Sequence, residues 1–595
     1  MPAPTLLPLT AMHYTIKPLS PDAHLFEITC RVSTPNTAGQ RFSLPTWIPG
    51  SYLIREFSRH IVRIRAEAAS KPVALTKQDK ATWQAAPCKG TLTLIYQVYA
   101  YDVSVRGAYL DRQRAFFNAS SVFLRAHGQE DAPQQVELLP PDFAPDWRAA
   151  TSLARAGAAP WGFGMYQAKN YADLLDHPVE MGRFTHMEFT VGSAAHHLIV
   201  TGDTAFRRER LCRDLARVCA GQMALFAQPR LADPYLFLLA VTDTGYGGLE
   251  HRNASALLAA CDDLPAPHLA DEETPENYVQ LLGLCSHEYF HRWNVKRIRP
   301  AELAAPDDQR ETYSRLLWFF EGVTSYYDDL CLVRAGVIDE KRYLGLLAKT
   351  LSQVRNTPGR AAQSLAESSF DAWIKYYRPD ENSPNTGVSY YHKGAWVALW
   401  LDLRLRRKKG VCLDDLLRRL WRDYGSMDKG LTEADIYAAV AALGGDALAR
   451  TLRAAVEGTH DLPLERLLTR AGVKLVWQAE NDGKTPWLGL RHTLAEGKIR
   501  IRHVLAASPA ERAGLAAGDT LLALAGREVT AQNLESRLTR LTVDTPVECH
   551  YFHRGLLCAT TLTPQHPPAN TALLTPLPGK SAREKRQEWL GARRL

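Results

Sequence analysis

The sequence predicts a multidomain α+β protein. Three observations predict it: the length of the chain, a change of hydrophobic period along it, and the return of strand-like alternation near its end. At 595 residues the chain is too long for one hydrophobic core, and length alone suggests about four domains. Apolar residues alternate in twos over roughly the first 180 positions, follow three- and four-residue steps through the middle, and alternate again from about position 471. The expected organisation is a β-rich, sandwich-like domain over 1–180 and a domain over 181–470 in which strands and helices alternate before helices take over. A small strand-rich domain over 471–565 follows, then a linker and basic tail over 566–595.

Each region has its own signals. In LFEITCRV the residues Phe26, Ile28, Cys30 and Val32 face one way, and TLTLIYQV repeats the pattern through Leu92, Leu94, Tyr96 and Val98. Prolines and glycines punctuate the intervals, as in TWIPGSY. The segment VSVRGAYLDRQRAFFNASSVF carries arginines and aromatics that fit either a cleft border or a plain hairpin surface, so no site residue is assigned there. Next, RRERLCRDLARVCAGQMALFAQ has helical spacing, and PYLFLLAVT is a short, nearly continuous apolar strand.

The chemistry concentrates in PENYVQLLGLCSHEYFHRWN. Thr274 followed by Pro275 reads as an N-cap with proline in the first turn, and Tyr278, Leu281, Leu282, Cys285 and Tyr289 give the helix a core-facing stripe. His287 and His291 then stand four apart on one face, where both imidazoles can take one ion, and Glu288 can reach a water bound to it. This H-E-x-x-H pattern is a zinc hydrolase signature. A catalytic zinc takes three protein ligands and leaves one position open, so a third ligand is required. Glu321, a lone carboxylate after Leu317, Trp318, Phe319 and Phe320, is the candidate, because a charge in such company is rarely buried unpaired. Asp328 lies on the same helical face, placed to hold the second nitrogen of a ligating histidine, although Asp329 could do the same.

HEYFHRWN, WFFEGVTSYY and YYHKGAW, together with the N-terminal PTWIPGSYLIREFSRH, resemble the glycyl aminopeptidase family of PDZ-containing metallopeptidases, members of the gluzincin group. The resemblance implies a thermolysin-like catalytic domain, one zinc ion held by two histidines and a glutamate, and a preference for peptides with a small N-terminal residue, glycine or alanine. It also implies roles for residues that spacing alone leaves ambiguous. Gly247-Gly248-Leu249-Glu250 looks like the glycine-containing loop whose glutamate holds the substrate's free α-amine; read bare, it is an ordinary Gly-rich turn. Tyr391, aligned by the following K-G-A, looks like the hydroxyl donor to the tetrahedral oxyanion, with Tyr390 beside it as the obvious confusion. His392 reads as a surface or capping residue.

Near the C-terminus, SPAERAGLAAGDTLLALAGREV closely resembles the PDZ signature, and Leu488, Gly489 and Leu490 look like its carboxylate-binding loop. A PDZ domain takes an extended peptide by strand addition, so the C-terminus of a peptide or protein is a possible partner. The last segment, GKSAREKRQEWLGARRL, reads as a mobile or weakly docked helix.

Composition excludes other classes. There are 71 basic and 64 acidic residues, a net +7, and the short runs KRIR and RLRRKK fit a solvated face better than a nucleic-acid site. Ten scattered cysteines without a C-x-x-C pair fit reduced thiols and a cytoplasmic location. The N-terminus shows no secretion signal and no segment is apolar enough to span a bilayer, so no membrane partner is expected. Oligomeric state is not legible. The reading is a zinc aminopeptidase; the alternatives are a PDZ-guided endopeptidase and a non-catalytic PDZ scaffold, against which Glu288 and Tyr391 speak.

Overall fold

The computed structural model describes residues 12–202, 204–227 and 233–591. The expectation of no N-terminal signal therefore rests on a segment, 1–11, that lies outside the described residues, as do the last four residues of the basic tail. The chain forms two compact units. One holds the chain up to Thr312 with Ala335–Val337 and Trp421–Gly430, and the other holds Tyr313–Arg334, Ile338–Leu420 and everything from Leu431 on.

In the first unit an eight-stranded sheet is built around Met12–Ser20, Leu25–Val32 and Leu92–Tyr99. The alternation read from the sequence sets its register: Phe26 lies opposite Val98, Ile28 opposite Tyr96 and Cys30 opposite Leu94, all buried. Two four-stranded sheets join it around a common core that includes Phe42, Phe116, Phe117 and Phe123. Three buried tyrosines tie the layers together, because a buried hydroxyl must find a partner. Tyr96 donates to the Val122 carbonyl at 2.7 Å, Tyr171 to Phe123 at 2.7 Å and Tyr14 to Leu124 at 2.8 Å.

The same unit contains a five-stranded sheet in the order Thr185–Val191, Ala194–Thr201, Tyr235–Thr242, Ala254–Ala260, Tyr246–Glu250. Its three inner strands are parallel to one another, and both outer strands run antiparallel to their neighbours. Tyr235–Thr242 is the apolar run PYLFLLAVT, unbroken because both of its faces are covered. Helices Arg208–Leu225 and Glu276–Phe290 pack here and lock to each other through polar bonds: Gln222 Nε2 donates to the Ser286 carbonyl at 2.9 Å, and the Tyr278 hydroxyl to Asp214 at 2.9 Å. The second helix starts one residue later than the capping pattern suggests. Pro275, at φ −57° and ψ 155°, is still extended and itself occupies the N-cap position, so Glu276 opens the helix.

The second unit is helical up to residue 470. Helices Gly322–Arg334 and His392–Leu405 cross at Gly322 and Gly394, where a Cβ on Gly322 would stand 2.5 Å from the Gly394 Cα, a contact only glycine permits. Beyond lie a six-stranded sheet, from Leu490–Ala495 to Leu556–Leu562, and a two-stranded sheet pairing Val473–Gln478 with Thr571–Pro576.

The tail departs from expectation. Residues 566–591 are neither a linker nor a weakly docked helix: Thr571–Pro576 is a paired strand, and helix Lys580–Leu590 buries Trp589 and Leu590. The Trp589 indole donates to the Tyr326 hydroxyl at 3.0 Å, and the Arg586 guanidinium reaches Glu340 at 2.7 Å and the Leu577 and Gly472 carbonyls at 2.8 and 2.9 Å. The basic composition hid this, because Arg583 and Lys585 are exposed while the two apolar residues and Arg586 share the buried face.

Candidate active site

The histidine helix sets the local frame. His287 and His291 present rings with centroids 4.6 Å apart at 83°, as residues one turn apart on a helix must. His291 ends the helix at φ −61° and ψ −18°, and its Nδ1 lies 2.7 Å from the Asn294 carbonyl oxygen. A carbonyl only accepts, so Nδ1 carries the proton and Nε2 keeps its lone pair for an ion. Asn294 was not legible as a functional position, because its backbone and not its side chain holds the ring. The structure thus gives the His291 Nδ1 a backbone partner. Asp328 accepts from the Asp329 backbone N–H at 2.6 Å within helix Gly322–Arg334.

Gly247 and Gly248 do not form a turn. They lie inside strand Tyr246–Glu250 at the sheet edge, with Gly248 opposite Leu257 and Glu250 opposite Ser255. This corrects the loop expected there, and the reason for the glycines is steric: a Cβ on Gly248 would stand 2.0 Å from Glu288 Oε1. The missing side chain makes room for the carboxylate. Glu288 and Glu250 are each only 5 % exposed, and both carboxylates have an oxygen within 4.8 Å of a His291 ring nitrogen and of each other. Such a buried acid pair holds its charges only beside cationic partners or an ion.

Two further residues approach this strand, and sequence reasoning assigned neither. Arg106 donates from Nη2 to the Gly248 carbonyl at 3.1 Å, so one arginine of VSVRGAYL does border the site. Gly50, at φ +93°, comes so close to Glu250 that a Cβ there would lie 2.5 Å from Oε1. The TWIPGSY motif carried the signal for Gly50, since a Pro-Gly pair among aromatics marks a fixed turn.

In the second unit Glu321 follows helix Leu317–Phe320 and is 2 % exposed. Tyr391 precedes helix His392–Leu405. Burial first, and then the Glu321 carboxylate, push its hydroxyl well above the ordinary tyrosine range, so it remains a proton donor at neutral pH. Tyr390 is fully buried whereas Tyr391 is half-buried, and their rings stack at 4.8 Å. His392 is pushed below its ordinary range by burial and opens the same helix. Gly489, at φ +74°, adopts a backbone that glycine alone takes readily; Leu488 is buried beside it, and Leu490 begins the edge strand of the six-stranded sheet.

Among the described residues, no helix is long and apolar enough to cross a membrane, and all ten cysteines are free thiols.

Comparison with known proteins follows the same residues. A family model described as the peptidase M61 N-terminal domain matches residues 13–183, and one described as M61 glycyl aminopeptidase matches 280–397. Among solved structures, an aminopeptidase N family protein from Idiomarina loihiensis is 36% identical, with a TM-score of 0.93 over 97% of this chain and 100% of that one. An M1 zinc metallopeptidase from Deinococcus radiodurans is 14% identical, with a TM-score of 0.47 over 76% of this chain and 95% of that one. No curated protein matches the chain. Matched by its N-terminal domain, by its histidine-helix segment and over nearly its full length, the chain belongs to the M61 glycyl aminopeptidase family and is a peptidase of the aminopeptidase type.

Proposed function

We propose that the protein removes small N-terminal residues, glycine or alanine, from peptides, using one zinc ion held by His287, His291 and Glu321. The observation that carries this reading is the meeting of Glu250, Glu288 and His291 donor atoms within 4.8 Å at a glycine-lined strand edge. The Asn294 carbonyl on Nδ1 of His291 makes Nε2 the ring nitrogen suited to a metal, which supports a ligand role for this histidine.

Bound zinc would supply Lewis acidity and a water of lowered pKa, about 7. The protein's own groups do the rest. Glu288 accepts the water proton and returns it to the leaving amine, a role typically worth about 10²- to 10⁴-fold. Tyr391 donates its hydroxyl hydrogen to the oxygen that gains charge. Glu250 accepts from the α-ammonium of the substrate and so fixes where the chain is cut. Asp328, or Asp329 beside it, orients a ligating histidine through its second ring nitrogen, as the Asn294 carbonyl orients His291. The C-terminal sheet acts as a PDZ domain whose loop Leu488-Gly489-Leu490 offers amides to a peptide carboxylate. The ten free thiols favour a cytoplasmic, reducing compartment.

Hydrolysis of Gly- and Ala-p-nitroanilide, with and without chelator, tests the reading. Turnover abolished by chelator and restored by zinc is expected, with N-acetylated peptides left uncut. Equal cleavage of blocked and free-amine peptides would replace the aminopeptidase with an endopeptidase.

A further inference from the structure

The antiparallel pair at the far edge of the five-stranded sheet carries a second set of metal donors. Thr185–Val191 is an edge strand, and its Glu188 lies directly opposite His197 of Ala194–Thr201. Directly opposed residues share a face, and so do residues two apart on one strand, so His186, Glu188 and His197 project on the same side. Their donor atoms all lie within 4.8 Å of one another. His186 Nε2 stands 3.2 Å from His197 Nδ1, and His197 Nδ1 stands 3.6 Å from Glu188 Oε2. Two ligand atoms at about 2.05 Å from a tetrahedral zinc are about 3.3 Å apart, so the spacing already suits one ion.

The surroundings favour a cation site over a plain imidazole hydrogen bond. Trp161 lies against both rings, at 4.4 Å from His186 and 4.9 Å from His197. Its backbone is held at φ +55°, a costly conformation for so bulky a residue. The indole covers one side of the histidine pair, while a cavity of about 750 Å³ lined by Trp161 and His197 leaves another side accessible. Arg148, the nearby cation, is engaged by the Phe184 carbonyl and stacks on the Phe184 ring at 4.2 Å.

We propose that His186, Glu188 and His197 form a second divalent-metal site, taking zinc or a similar transition ion and leaving its fourth position to water. The ion would staple the edge strand to its neighbour. This site does not depend on the histidine helix, which offers its own ligands.

Zinc uptake by the chelator-stripped full chain, read by equilibrium dialysis, tests the proposal. The expected result is two equivalents in the wild type, one in His197→Gln, one in the His287→Gln/His291→Gln double variant, and none when all three changes are combined. The proposal is overturned if His197→Gln binds as much as the wild type, or if the double variant binds nothing. A double variant that matches the wild type while His197→Gln loses an equivalent would instead count against zinc at the histidine helix. Should His197→Gln fail to fold, Glu188→Gln at its exposed position replaces it. At least tenfold weaker binding of one equivalent is then expected, and unchanged binding overturns the site.

Discussion

The histidine helix and the edge strand Tyr246–Glu250 bring groups to one site by different routes. The helix encodes its arrangement in five consecutive residues, because a turn of helix fixes which side chains share a face. The strand has no such local signature. Gly247, Gly248 and Glu250 gain meaning only through their pairing with Ala254–Ala260 and through the helix they face. The comparison teaches that chemistry written along a helix can be read from sequence, whereas chemistry written across a sheet depends on register with distant residues.

The largest expected effect tests the helix. Glu288→Gln keeps size and burial but removes the proposed base, so kcat is expected to fall by about 10²- to 10⁴-fold, with zinc content and thermal unfolding unchanged. Near-normal turnover would remove Glu288 from the mechanism and leave the helix only its ligands.

Gly248→Ala tests the contact between helix and strand. The new methyl would meet the Glu288 carboxylate at 2.0 Å, and the end of that side chain is the part able to move. The fold should persist while the base is displaced, and an ångström of misplacement costs about 10²-fold in kcat. An alanine variant with normal kcat would show that the strand tolerates a side chain, and that the glycine serves something other than clearance for Glu288.

The two routes explain what was legible. HEYFH put two histidines on one face of a helix, which the structure forms, and Glu321 could be singled out because a carboxylate amid Trp318, Phe319 and Phe320 needs a reason to be there; it is buried. The N-terminal strands were also readable, since alternation in LFEITCRV and TLTLIYQV fixes both face and register. The loop expected at Gly247 and Gly248 proved to be a strand, because glycine signals turns in isolation and clearance only in context. Gly50, Arg106 and the Asn294 carbonyl stayed hidden because each acts through a partner far away in sequence or through its backbone. The docked tail was missed for a related reason: basic residues dominate its sequence, but Trp589, Leu590 and Arg586 decide its burial.

On the strand side, Glu250→Ala should raise KM for free-amine peptides by roughly 10- to 100-fold, the loss of a charge-assisted hydrogen bond of about 1.5–3 kcal/mol. The inhibition constant of an N-acetylated peptide, read as a competitive inhibitor, should not change. If it rises as much as KM, Glu250 supports the site's shape and not the amine.

The smallest effect tests the pleat itself, since neighbours on one strand serve opposite faces. His197 points outward, while His196 is buried and its Nε2 lies 2.9 Å from the Tyr289 hydroxyl of the histidine helix. Burial, partly opposed by the Ala194 carbonyl, lowers the His196 pKa to about 4. In the unfolded chain it would titrate near 6.5. Between those values the unfolded state binds more protons, so stability rises with pH: the contribution is complete above about 6.5 and is lost as pH falls toward 4. Unfolding at pH 7.5 and pH 5 should therefore differ by about 2 kcal/mol more in the wild type than in His196→Gln, which can keep a bond to Tyr289 without titrating. Parallel pH curves for the two proteins would mean that His196 is protonated in the folded state and that the sheet does not hold it neutral against the helix.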